Sequence, residues 1–146
     1  MRIRILACLS IGLMFAACRG PRLYPAMAEN PDQYDFYAAV LSFEIESQAS
    51  QDPATRFFIA FQKEDPPAEL LARFASQGFK LEKGSEFQTG KGVKVCINGI
   101  ARIDDDTVEV SGVRNGAPTS ESGRLWTVSR KGVAWVVTKV RLTWEP

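Results

Sequence analysis

Alternation of apolar and polar positions is clearest near the C-terminus, where Gly123 to Trp144 (GRLWTVSRKGVAWVVTKVRLTW) holds two runs rich in β-branched and aromatic residues. Two such runs around a glycine-containing break predict a β-hairpin. With Lys131-Gly132 as a two-residue turn, Arg130 faces Val133, Val128 faces Trp135 and Trp126 faces Val137. One ribbon face then carries Trp126, Val128, Val133, Trp135 and Val137, an apolar surface suited to closing a core. Beyond Thr138 the phase inverts, because Lys139 and Arg141 fall on the apolar face while Val140, Leu142 and Trp144 fall on the other. That inversion predicts a bulge near Thr138-Lys139.

Upstream the period changes. Asn30-Pro31-Asp32-Gln33 offers an N-cap, a proline at the first helical position and a capping-box glutamine. Tyr34, Tyr37, Ala38, Leu41 and Ile45 form one stripe at helical spacing, and Phe36, Val40 and Phe43 form a second, so the helix is expected to be buried on more than one side. Leu41 to Glu46 also alternates as a strand would, and Glu44 and Glu46 read as a narrow solvated face. Gln48 to Thr55 is a polar loop, and Arg56 to Gln62 is apolar on both faces, as a strand inside a sheet is. Asp65-Pro66-Pro67 opens a second helix, with Asp65 as its cap and Leu70, Leu71 and Phe74 as its buried stripe. Gly78 ends it, placing Phe79 against Phe74 in a Schellman motif.

Lys80 to Gly92 is polar and glycine-rich, whereas Val93 to Ile103 alternates well. Pairing Ile103 with Val108 and Ala101 with Val110 across Asp104 to Thr107 gives a second hairpin, and Asn115 to Ser122 is a polar loop leading to the last one. The expected fold is a single α+β domain over residues 30–146, two N-terminal helices packed on a curved antiparallel sheet of about five strands.

The N-terminus changes the picture of where such a domain resides. Two arginines in Met1 to Arg4 precede an apolar run, Ile5 to Ala17, that is too short to cross a bilayer as a helix, so residues 1–17 read as a signal peptide. Its end, Phe15-Ala16-Ala17-Cys18, resembles the bacterial lipobox, with phenylalanine where leucine is preferred. That resemblance implies lipid attachment at Cys18 and makes residues 18–29 a lipidated tether. Ala26-Met27-Ala28 is the alternative, an ordinary secretory site with cleavage before Glu29. With cleavage before Cys18 the mature chain is near neutral, and its charge recommends no nucleic acid as partner. Cys8 leaves with the signal peptide and Cys18 carries lipid, so Cys96 has no disulfide partner in its own chain.

Candidate chemistry is sparse. Asp104-Asp105-Asp106 lacks the alternation, glycine and distal glutamate of a calcium loop and reads as a solvated turn. Gly84 to Gly92 (GSEFQTGKG) misses the phosphate-loop spacing and its terminal Ser or Thr. Trp126 and Trp135 read as core, and Trp144 as partly exposed. With no histidine, the chain lacks His-based acid–base catalysis and the usual zinc ligand. No catalytic residue, metal site or cofactor is therefore expected.

Tyr37-Ala38-Ala39-Val40, Asp65-Pro66-Pro67 with Glu69 to Phe74, Gly84 to Phe87, Asp106 to Val110 and Gly123 through Trp135 resemble a widespread family of small uncharacterised bacterial proteins, many of them lipoproteins. Arg114-Asn115 stands where that family tends to carry paired tyrosines, and Val133-Ala134 where it has one lysine. At the level of fold, the order of elements is similar to NTF2-like and cystatin-like domains. The resembled family brings no established activity with it; the absence of a catalytic constellation makes a non-catalytic lipoprotein that binds a protein or small ligand the leading expectation. Resemblance to Gram-negative lipoproteins, with Arg19 rather than aspartate after Cys18, implies the outer membrane, facing the periplasm. The alternatives are an NTF2-like enzyme with a buried carboxylate, an immunity-type inhibitor of an envelope toxin, and a soluble secreted protein.

Overall fold

Helical spacing prevails over strand alternation between Leu41 and Glu46. In the computed structural model, which describes residues 22–25, 31–116 and 120–145, helix α1 runs without a break from Pro31–Ala49. It buries Phe36, Tyr37, Val40, Leu41 and Ile45, members of both predicted stripes. The signal peptide, Cys18, most of the tether and the Asn30 cap lie outside the described residues. Inside the tether, however, Arg22–Pro25 forms strand β1, so that stretch is not a structureless spacer throughout.

The remaining elements are β2 (Phe57–Phe61), α2 (Ala68–Ser76), β3 (Leu81–Lys83), β4 (Val93–Arg102), β5 (Thr107–Asn115), β6 (Glu121–Lys131) and β7 (Ala134–Trp144). The fold is α+β. Its sheet is mixed rather than antiparallel and larger than expected: the order is β3-β2-β4-β5-β6-β7, with β1 antiparallel to β4. The chain leaves β2 through α2 and returns in β3 parallel to it, a crossover that a helix makes possible. It then passes through a 3-10 turn at Gly84–Glu86 into β4, which is parallel to β2 on its other side. The polar stretch Lys80 to Gly92 therefore contains a short strand that its composition hides. β2, flanked on both sides, is buried at every position, as its unbroken apolar run predicts.

Double proline moves the start of α2. Pro67 forces the residue before it out of helical geometry and is itself extended, at φ −56° and ψ 145°, so the helix begins at Ala68. Asp65 is not its cap. Instead its carboxylate accepts the Ser85 N–H at 2.9 Å and the Ser85 hydroxyl at 2.7 Å, tying the helix entry to the crossover turn. The C-terminus matches expectation: Gly78 has φ +86°, its N–H reaches the Ala75 carbonyl, the Phe79 N–H reaches Phe74, and the two rings lie 6.2 Å apart.

Register departs from the expected one in both hairpins. Asn98 is an extra residue in β4, between the Ile97–Gly112 and Gly99–Ser111 pairs. This bulge switches the buried phase from Val93, Val95 and Ile97 to Ile100, which pairs with Val110, and leaves Ile103 half exposed. In the last hairpin the turn residues are Gly132 and Val133, flanked by the Lys131–Ala134 pair. Gly132, at φ +64°, takes the first turn position, so Val133 is fully exposed and the register moves by two residues. A two-residue shift preserves faces, and Trp126, Val128, Trp135 and Val137 still share the core side. Thr138 is the predicted bulge: Thr127 pairs with Lys139 and Val128 with Val137.

Candidate functional site

The same stripe of α1 that buries Tyr37 and Leu41 continues, one turn at a time, to Glu44 and Gln48. Glu44 is only 2% exposed, so the expected solvated face holds for Glu46 and fails for Glu44. A carboxylate taken out of water costs several kcal/mol unless donors replace its hydration. Three are supplied by the sheet. Oε1 accepts from Arg124 Nη1 at 2.7 Å and from Trp126 Nε1 at 2.8 Å, and Oε2 lies 3.2 Å from Arg114 Nε. Arg114 also donates from Nη2 to Gln48 Oε1 at 2.6 Å, and Arg124 Nε donates to the buried Ser122 hydroxyl at 3.4 Å.

Strand parity assembles this cluster. Val108, Val110, Gly112 and Arg114 occupy one phase of β5, and Arg124, Trp126 and Val128 the matching phase of β6. Gly112 is required there, since a Cβ would meet the Trp126 ring at 2.8 Å. Two guanidinium groups serve one carboxylate, leaving local charge of +1. Burial holds Arg114 below the ordinary arginine value, Glu44 opposes that shift and the neighbouring Arg124 adds to it. Both Glu44 oxygens are engaged and the group is sealed from solvent, so the arrangement fastens α1 to β5 and β6 and offers no open route for a substrate proton.

A groove of about 460 Å³ runs along the other flank of α1. It is lined by Asp35, Ala38, Ser42 and Glu46 of the helix, by the consecutive residues Val133 to Val137 of the last hairpin, and by Arg73 and Gln77. Trp135 forms its floor, half-buried, edge-on to Phe36 at 4.7 Å and beneath the Arg130 guanidinium at 4.9 Å. Arg73 pairs with Asp35 at 2.5 Å.

On the opposite sheet face, a cavity of about 380 Å³ is bordered by Phe87, Lys94, Cys96, Val113, Asn115 and Glu121. Cys96 is neither covered by a helix nor activated: its thiol donates to the Gln62 carbonyl at 2.9 Å, and burial pushes its pKa up. Arg114 and Asn115, adjacent in β5, thus serve opposite faces, Arg114 the helix side and Asn115 this cavity.

The acidic turn is held by arginines. Asp104 Oδ1 accepts the Asp106 N–H at 2.9 Å, Arg102 donates to the carbonyls of Asp104 and Asp105, and Arg130 approaches Asp106 at 3.6 Å. Among the described residues no acidic or cysteine cluster is arranged to hold a metal ion, and no helix is long and apolar enough to cross a membrane. Trp126 is fully buried and Trp144 is 46% exposed. Comparison with known protein families, curated proteins and solved structures finds no match to this chain.

Proposed function

We propose that the chain is a non-catalytic binding module of the bacterial cell envelope, anchored through lipid on Cys18 in the outer membrane and facing the periplasm. The observation that carries the non-catalytic part is the occupation of Glu44: the carboxylate best placed inside the fold is spent on Arg114, Arg124 and Trp126. Catalysis by a chain without histidine needs a shifted carboxylate, tyrosine or lysine facing a substrate. Cysteine-linked acyl chains supply the attachment in this reading, in keeping with the short apolar leader.

Two measurements test the proposal in a deletion strain. Cys18→Ala is expected to leave the membrane fraction, and unchanged fractionation overturns the anchor. A folded Glu44→Leu/Arg114→Met/Arg124→Met variant is expected to complement the deletion as wild type does. A variant that folds normally but fails to complement overturns the non-catalytic reading and returns attention to the carboxylate.

A further inference from the structure

The groove beside α1 is shaped by an edge strand, and this decides what fits it. Five consecutive residues, Val133 to Val137, line it, whereas a groove on one sheet face would meet alternate residues only. It therefore follows the free edge of β7, the last strand of the sheet. Starting from the Lys131–Ala134 pair that closes the turn, the ladder directs Ser129–Val136 inward and turns the N–H and C=O groups of Trp135 and Val137 away from β6. Among the described strands β7 pairs with β6 alone, so no strand takes up these four groups on the outer side. Opposite them stand Ala38 and Ser42, small side chains one turn apart that leave room for a chain between helix and strand.

The geometry points to an extended peptide segment of a partner protein, added as a strand to β7 between Trp135 and Val137 and carrying a basic side chain at one end. Main-chain bonds at two alternate residues are what such a strand offers. The basic residue is set by Glu46, exposed and without an ion pair among the described residues, whereas Asp35 at the other end of the stripe is paired with Arg73. A second copy of this chain fits less well, because the Thr138 bulge ends the regular edge after Ala134 to Val137 and allows no long continuous pairing.

This inference rests on the binding-module reading and names its partner class. The test pans the full chain, in mild detergent, against a displayed library of random heptapeptides. Enriched peptides should alternate β-branched and polar residues and carry Lys or Arg. Their binding should fall at least tenfold with Ser42→Trp, which fills the groove without touching the core, and with Val137→Pro, which removes an outward N–H. Glu46→Lys should reverse the charge preference. Amide exchange at Trp135 and Val137 should slow when peptide is added. Peptides that bind Ser42→Trp as well as wild type overturn the groove but leave the chain a binder, and an empty selection overturns the groove as well. Protection of the same amides that grows with protein concentration alone assigns the edge to a second copy and overturns the proposal.

Discussion

The two halves of α1 are held to the sheet by different physics. Its first half packs Phe36 on Trp135 and Tyr37 on Phe61, with Val40 and Leu41 fully buried beside them. Such contacts are non-directional and degrade gradually when atoms are removed. Its second half depends on Glu44, whose value lies in having every donor in place. Apolar packing thus sets the strength of the attachment, and the ion cluster sets the position of the helix along β5 and β6.

Breaking the polar half should give the largest effect. Glu44→Ala leaves two guanidinium groups facing buried space and is expected to cost about 3–5 kcal/mol, read as a shift in the urea unfolding midpoint. Breaking the apolar half at Trp135 should cost less than a fully buried tryptophan would, about 2–3 kcal/mol, because the ring is only half-buried in the groove. A loss as large as that of Glu44→Ala would mean the two halves do not differ as described.

Replacing the whole cluster sharpens the comparison. Glu44→Leu/Arg114→Met/Arg124→Met removes all three charges and their desolvation, so its stability should lie within about 1 kcal/mol of wild type or above it. An additive loss, equal to the sum of the single changes, would show that the cluster is a net stabiliser in its own right.

The smallest effect concerns Asp65, outside both halves. The bonds from Ser85 hold its carboxyl below the usual aspartate value. A pKa lowered on folding contributes stability that is present above the unfolded value and lost as pH falls through the folded one. Asp65→Asn should therefore be less stable than wild type at neutral pH, with the gap closing in acid; equal stability of the two proteins at neutral pH would remove the crossover tie.

Much of this fold could be read locally. Helix α1, the buried strand β2, the Schellman end at Gly78 and the Thr138 bulge follow from periodicities and turn residues close together in the chain. They were legible because each depends on neighbours a few positions away. The Pro66-Pro67 pair also held the signal that delays α2 to Ala68, since a residue before proline resists helical geometry. The phase of Arg114 and Arg124, on the strand sides that bury Val110 and Trp126, was visible too. It becomes a site only when Glu44 is known to lie beneath them.

By itself the sequence determined the α+β class, the burial of both α1 stripes and the apolar face of the last ribbon, because side-chain period and local sterics suffice for these. Tertiary structure alone decided the rest. The parallel placement of β2 between β3 and β4 depends on where a crossover lands, and the register of β4 on a bulge at Asn98 that composition does not mark. The fate of Glu44 was decided by residues 70 and more positions away, at Arg114, Arg124 and Trp126. A lone acid on a helix reads as solvated because burying it is costly, and only the donors that offset that cost, brought by other strands, could place it in the interior.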